Sequence, residues 1–311
     1  MIAAIIDCGT NTFHLLIAEY DNSGNYKILK RLMKNVKLGQ NTILNNQISP
    51  EAFQRGISAF YELTQVANSF NPNEILAYAT SAVRSAENGK EFVEAVYNKT
   101  GVSIKVIDGD KEAYYIYNGV ALALKNILEP ILIMDIGGGS TEFILAENNN
   151  IIFKKSFDLG VARILQKFQP QNPITPENII AINNFLKTEL DSLSNIVSQY
   201  NVNKLVGSSG SFESVYSIIC KELYNVDPDD NIKSVSILNN DFLMVYNKLI
   251  SSSELDRKRI KGLIPMRIDT IVLAVLFIEF VRNQYNINEL VFSNFALKEG
   301  VLSGLMANRI I

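Results

Sequence analysis

Residues 131–146 read ILIMDIGGGSTEFILA. An apolar, β-branched run meets one acid, three glycines, two hydroxyl residues and a second acid, then resumes its apolar alternation. Consecutive glycines weaken a local fold, because glycine loses the most backbone freedom on ordering. Such a turn suits a place where something approaches the backbone closely. Phe143 and Leu145 continue in strand-like alternation, so the motif is strand–turn–strand. A dinucleotide fold or a P-loop would place a helix directly after its glycines.

The stretch has a twin. Residues 5–18 read IIDCGTNTFHLLIA, and residues 133–146 read IMDIGGGSTEFILA. Asp7 and Asp135, Gly9 and Gly137, Thr12 and Ser140, and Ala18 and Ala146 all stand 128 positions apart, with no gap. Two copies of Asp-x-Gly-x-x-(Ser/Thr) followed by an apolar strand imply a duplicated architecture, one copy opening each half.

Around the twins the chain alternates strand and helix. Residues 48–70 carry apolar side chains at Phe53, Ile57, Phe60, Leu63 and Val66, a helical spacing. Ser49, Pro50 and Glu51 supply a cap, a first-turn proline and an acid on the dipole. A strand EILAYAT, a helix near 88–99 closed by Gly101, a strand SIKVID and a helix from about Asp110 to Lys125 complete the first half. In the second half a strand leads into DLGVARI (158–164), and Thr175-Pro176-Glu177 caps a helix over 177–199. Strand KLVG, loop SSGS and helix FESVYSII follow. Late helices fall at 240–251 and 268–284, then strand ELVFS and a terminal helix near 296–309. The expected fold is α/β with two similar lobes, about 1–120 and 121–311, and a cleft between them.

Composition agrees with a globular protein of that size. The chain has 311 residues, 47% hydrophobic and 20% charged, with a net charge of −3. No global basic field points to DNA or an acidic membrane surface. Cys8 and Cys220 are the only cysteines, which points to a reducing cytoplasm and away from a thiolate metal site. The start, MIAAIIDCGTN, reads as a first strand rather than a signal peptide. IVLAVLFIEFV (271–281) is too short to span a bilayer and carries Glu279, so it reads as a core helix.

Turns of glycine and small hydroxyl residues present successive backbone N–H groups to one point, an anion-binding nest. Gly9, Thr10, Asn11 and Thr12 form the first such turn, and Gly137, Gly138, Gly139, Ser140 and Thr141 the second. One glycine-rich turn alone is ordinarily just a tight hairpin. Two at matching places, with a third small loop at Ser208, Ser209, Gly210 and Ser211, favour a phosphate site. Asp7, Asp135 and Glu142 would repel an anion there unless a divalent cation mediates. Mg²⁺ takes one or two carboxylates plus waters and phosphate oxygens, which suits Asp135 and Glu142. For Asp7, a hydrogen bond to its own turn is the competing reading. Glu112 falls in a helix's first turn, where the dipole favours an ionised carboxylate. Such a group can orient and deprotonate water for attack on phosphorus, although an acidic first turn is also ordinary helix chemistry. Arg84 ends a small-residue segment where a guanidinium could clamp phosphate. Arg163, Arg267, Lys298 and DRKRIK (256–261) could extend a positive track. His14, the only histidine, reads as structural.

Taken in order, IIDCGTNTFHLLIA, VKLGQ, ATSAVRSAENG, DGDKEAYYIYNGV, IMDIGGGSTEF, LGVARI, GSSGSFES, MRIDTIV and SNFALKEGVL resemble the motifs of the exopolyphosphatase/guanosine pentaphosphate phosphatase (Ppx/GppA) family. The resemblance runs over essentially the whole chain. It implies the two-lobed, actin-like ATPase fold of duplicated ribonuclease H-like domains, with the last helix, about 297–311, returning toward the first lobe. It implies Mg²⁺-assisted release of orthophosphate from polyphosphate or guanosine pentaphosphate. Glu112 would be the base for the lytic water, Arg84 a phosphate contact, and Asp135 and Glu142 the metal-handling pair. The family's usual run of acids is DKE here, its following arginine is Tyr114, and SSGS lacks one usual glycine. The chain ends soon after ALKEGVL, as the short, two-domain form does, and a homodimer is compatible with it.

Two other functional classes compete with the hydrolase. A kinase or nucleotide-driven switch of the same superfamily would transfer or hydrolyse the terminal phosphate of ATP, but a glutamate base suits water better than a sugar hydroxyl. A sensor that binds polyphosphate or alarmone without turnover would have no need of a positioned Glu112.

Overall fold

The computed structural model describes residues 1–39 and 46–308. Gln40 of the VKLGQ motif and residues 309–311 of the expected terminal helix lie outside the described residues. The chain divides into two compact units: Met1–Leu122 with Ala296–Ile311, and Ala123–Phe295.

The first unit is built on a five-stranded sheet. β1 (Ile2–Cys8), β2 (Thr12–Tyr20) and β3 (Tyr26–Asn35) form an antiparallel meander. β4 (Glu74–Ala79) and β5 (Ile104–Val106) extend it in parallel, giving the order β3-β2-β1-β4-β5. β1 is buried along most of its length, as a central strand of continuous apolar residues should be. β3 lies at the edge and carries Lys27, Lys30, Arg31 and Lys34, charges that discourage pairing with another chain. Helix α1 (Pro50–Asn68) starts at Ser49, whose side chain accepts from the Ala52 amide. The short α2 (Ser81–Ser85) follows β4, α3 (Gly89–Thr100) ends at Gly101 in a left-handed conformation, and α4 (Gly109–Leu124) follows β5. Phe13, Phe60, Leu63 and Phe92 lie in the core between sheet and helices. The C-terminal helix, Leu297–Met306, packs on β1 and β2.

The second unit repeats the plan. β6 (Ile131–Ile136), β7 (Thr141–Glu147) and β8 (Asn150–Phe157) form the meander, and β9 (Lys204–Ser208) and β11 (Glu289–Ser293) the parallel extension. β10 (Ser234–Ile237) adds an antiparallel edge, so the order is β10-β11-β9-β6-β7-β8. The duplication reaches into detail. The meander is bulged between Ile17 and Ala18 in the first unit and between Leu145 and Ala146 in the second, the same point of the twin sequences. Each sheet has the ribonuclease H-like order, and its duplication is the plan of the actin-like ATPases.

Several elements of the second unit differ from the sequence expectation. β8 leads into DLGVARI as expected, and from Val161 the chain forms a helix that the pattern did not announce, α5 (Val161–Phe168). The helix expected over 177–199 is two, α6 (Pro176–Glu189) and α7 (Asp191–Val197), joined at the buried Leu190. SSGS is no loop, because α8 (Ser209–Ile218) starts directly where β9 ends. Helices α9 (Asn239–Ile250) and α10 (Ile271–Gln284) complete the unit. IVLAVLFIEFV lies in α10 with residues 271–278 all buried, and among the described residues no helix is long and apolar enough to cross a membrane.

Candidate active site

The second turn is shaped from behind. Gly137 N donates to the Ser140 carbonyl at 3.0 Å and closes the turn. The Gly137 carbonyl accepts from Val161 N at 3.0 Å, and the Gly138 carbonyl from Ala162 N at 2.9 Å and Arg163 N at 3.3 Å. The Gly139 carbonyl accepts from Gly160 N at 3.3 Å and from Arg163 Nε at 3.1 Å. In a planar trans peptide the N–H points opposite to the carbonyl it adjoins. Pinning these three carbonyls to the start of α5 therefore turns the amides of Gly138, Gly139 and Ser140 toward the other side, as an anion nest requires. Gly160 has to be glycine, since a Cβ there would lie 2.2 Å from the Gly138 oxygen.

The first turn is held the same way. Gly9 N donates to the Thr12 carbonyl at 3.0 Å. The Thr10 carbonyl accepts from Gly39 N at 2.9 Å, and the Asn11 carbonyl from Val36 N at 2.9 Å and Lys37 N at 2.8 Å. The segment 36–39 is in turn held by Arg55 of α1, whose Nε donates to the Val36 carbonyl at 3.0 Å. A Cβ on Gly39 would meet Thr10 Cγ2 at 2.3 Å. Each meander is thus followed by a Leu-Gly pair, Leu38-Gly39 and Leu159-Gly160, that grips its turn.

Two carboxylates stand side by side at the mouth of the second turn. Asp135 on β6 and Glu142 on β7 are register partners, 5% and 1% exposed. Directly opposed like charges on neighbouring strands repel, so this pair needs a cation, a proton or hydroxyl donors. Hydroxyls are present: Ser208 and Ser209 donate to Asp135 Oδ2 at 2.7 and 2.6 Å, and Ser156 donates to Glu142 Oε1 at 2.6 Å. Two adjacent carboxylates are the kind of oxygen donors that a hard divalent ion carrying most of its water takes. Among the described residues no group of three or more His, Cys, Asp or Glu side chains could enclose a metal. Asp7 occupies the matching place in the first unit, opposite His14 in the β1–β2 register. His14 Nε2 pairs with the Thr12 hydroxyl at 2.8 Å.

Glu112 lies in the first turn of α4 and is 7% exposed. Its Oε2 accepts from Arg84 Nη1 at 2.9 Å, and the same nitrogen donates to the Ile107 carbonyl at 2.9 Å. Asp108 caps the helix by accepting from Lys111 N at 2.7 Å. Strand β4 delivers Arg84 through α2, and β5 delivers Glu112 through α4. Two parallel neighbours thereby place a guanidinium against a carboxylate at the same sheet end, where ligands bind in α/β sheets.

The model of the Ppx/GppA phosphatase family matches residues 16–309. The chain belongs to the Ppx/GppA phosphatase family. An exopolyphosphatase crystal structure from Cytophaga hutchinsonii is 30% identical, with a TM-score of 0.95 over 99% of this chain and 98% of that one. The Aquifex aeolicus Ppx/GppA family member shares the fold at 24% identity, with a TM-score of 0.82 over 100% of this chain and 99% of that one. A bifunctional 3-dehydroquinate synthase/phosphatase of Fusobacterium nucleatum is 31% identical over 98% of this chain. This chain spans 46% of the length of that protein. Family membership places the protein among phosphatases, enzymes of the hydrolase class.

The residues singled out by the family motifs occupy defined places. Asp135, Glu142, the second turn and the serines of β9–α8 come together in one unit, and Arg84, Glu112 and the first turn in the other. Some are committed inward. The Thr141 hydroxyl donates to the Leu159 carbonyl at 3.0 Å, tying down the clamp. Ser208 and Ser209 spend their protons on Asp135, and Ser211 donates to the Ile136 carbonyl at 3.3 Å, so these hydroxyls brace the turn. Arg163 is bonded to Gly139 and, at 3.2 Å, to Asp158, and is not part of a free positive track. Arg267 reaches Gly210, where a Cβ would lie 1.5 Å from its Nη2. Tyr114, at the place of the family's arginine, lies under Lys111, whose Nζ is 5.7 Å from the ring centre. Reading the sequence missed the two Leu-Gly clamps. Their signal was the recurrence of that dipeptide just after each third strand.

Proposed function

We propose that the protein is an exopolyphosphatase that hydrolyses the terminal phosphoanhydride bond of inorganic polyphosphate. The observation that carries this reading is the second turn, whose amides are aimed by three clamped carbonyls, because each phosphate group of polyphosphate offers such donors several anionic oxygens. Glu112 accepts a proton from water as the water oxygen bonds to the terminal phosphorus. The bridging P–O bond breaks, its electron pair stays on the shortened chain, and orthophosphate leaves. Arg84 offers its remaining N–H groups to the terminal phosphate. Ser208, Ser209 and Ser156 hold Asp135 and Glu142 ready for Mg²⁺ or another divalent cation. When bound, that ion neutralises charge on the phosphate oxygens. The family match and the likeness to the Cytophaga exopolyphosphatase support the substrate class. Guanosine pentaphosphate would be cut by the same chemistry.

The test measures orthophosphate released from long-chain polyphosphate, guanosine pentaphosphate and ATP by the wild type and by Glu112→Gln. Polyphosphate is expected to be the best substrate. The variant should lose at least ~10²-fold in turnover, the low end for a general base, while still binding substrate. Preference for guanosine pentaphosphate would move the assignment to the sister activity, and turnover of ATP alone to a kinase-like enzyme. Equal rates from both proteins would remove Glu112 from the mechanism.

A further inference from the structure

We propose that Arg163 is a positioning residue for phosphate binding, acting through the Gly139 carbonyl and not as a phosphate ligand. The inference rests on the reading of the second turn as a phosphate cradle. It starts from a difference between the twins. In the first turn the Asn11 carbonyl accepts from two backbone amides at 2.9 and 2.8 Å. In the second turn the matching carbonyl, Gly139, has one backbone donor, Gly160 N, at a long 3.3 Å. A bond of that length lies outside the usual N–H···O range. Arg163 Nε supplies the firmer contact at 3.1 Å, from a charged donor.

The sequence explains why the second turn needs this help. Thr10, Asn11 and Thr12 bring side chains that anchor the first turn: Thr12 bonds His14, and Thr10 packs against Gly39. Gly137, Gly138 and Gly139 have no side chains and the greatest backbone freedom of any residue. The turn that gains close approach to its ligand thereby keeps only backbone anchors, the Gly137–Ser140 bond within it and the donors at the start of α5. Fixing the Gly139 carbonyl fixes the opposite face of the same peptide, the Ser140 N–H. A cation on the carbonyl also polarises that N–H into a stronger donor. Meanwhile Arg163 Nη2 is drawn to the exposed Asp158 at 3.2 Å.

Two substitutions separate positioning from direct contact. Glutamine places a neutral N–H donor at the position of arginine Nε, whereas lysine keeps the charge but puts a methylene there. Positioning therefore predicts that Arg163→Lys behaves like Arg163→Ala, and that Arg163→Gln is rescued. For orthophosphate release from polyphosphate, Arg163→Ala and Arg163→Lys should raise KM about tenfold, equivalent to ~1.4 kcal/mol, with kcat much less affected. Arg163→Gln should recover most of that loss. A second readout needs no turnover: in protein labelled with ¹⁵N-glycine and ¹⁵N-serine and titrated with orthophosphate, the Gly138, Gly139 and Ser140 amide signals should shift in wild type and Arg163→Gln, and the Ser140 signal should respond weakly in Arg163→Lys. The reverse order, lysine active and glutamine impaired, would make Arg163 a ligand and overturn the inference, as would wild-type behaviour in all three variants. The glutamine–lysine contrast decides even if the alanine variant is unstable. Wild-type glycine signals indifferent to orthophosphate would bring down the cradle reading and this inference together.

Discussion

Gly210 gives up its side chain to a neighbour. A Cβ there would fall 1.5 Å from Arg267 Nη2, so the guanidinium occupies the space an alanine would need. Arg267 Nε is buried and makes no hydrogen bond, and burial pulls the guanidinium below its ordinary pKa while Glu213 and Asp135 oppose that. A desolvated cation beside Asp135 offsets part of the charge that Asp135 and Glu142 bring to the same spot. Gly210→Ala should therefore cost ~1–3 kcal/mol by overpacking. The cost should shrink when Arg267 is also replaced by alanine, with a coupling of roughly 0.5–3 kcal/mol for residues in contact. Urea unfolding of the two single variants and the double variant measures it. An additive result would show that the glycine serves the backbone and not the arginine.

At the scale of elements, β6 and β7 set their two carboxylates in register. Without a cation the repulsion is a standing cost, partly relieved by the three serine hydroxyls. Glu142→Gln keeps an oxygen to accept from Ser156 and removes the second charge. In chelator its thermal stability should equal or exceed that of the wild type. Adding Mg²⁺ should stabilise the wild type, by ~2.7 kcal/mol at a hundredfold excess over Kd, and leave the variant's melting temperature unmoved. An equal Mg²⁺ response from both proteins would place the ion elsewhere. The twin turns themselves were legible, because an acid, a glycine and a hydroxyl at fixed spacing between apolar runs leave few alternatives. The helical nature of residues 161–168 and of 209–211, where α8 begins, was not. α5 is eight residues long and is entered through a glycine required by its contact with Gly138. α8 begins with serines and a glycine that read as loop, and Asp135, Ile136 and Arg267, distant in sequence, give those residues partners. Local propensity had no access to either contact.

At the scale of the whole chain, the duplication is close but its closure is asymmetric. The second unit is one continuous segment, whereas the first is completed only when the last helix returns to it. The return is fixed by particular atoms. Glu299, 1% exposed, accepts from Arg31 Nη2 of β3 at 3.3 Å and from the Ala296 amide at 3.0 Å, capping its own helix. Gly300 lies so near α4 that a Cβ would sit 1.7 Å from the Tyr115 carbonyl, and Gly119 meets the Ala296 carbonyl in the same way at 2.0 Å. These contacts couple the last helix to β3 and α4, and the same helix packs on β1 and β2, the strands that present the first turn. Glu299→Ala removes the acceptor of the capped Ala296 amide and one partner of Arg31. It should cost ~1–3 kcal/mol, the penalty for an unsatisfied buried group, with Glu299→Gln milder because it keeps an oxygen. The loss should be local: hydrogen exchange should quicken in β1, β2 and the C-terminal helix, while β6, β9 and β11 keep their protection. Uniform loss across both sheets would mean that the units unfold as one, and that the returning helix serves the whole chain instead of the unit it completes.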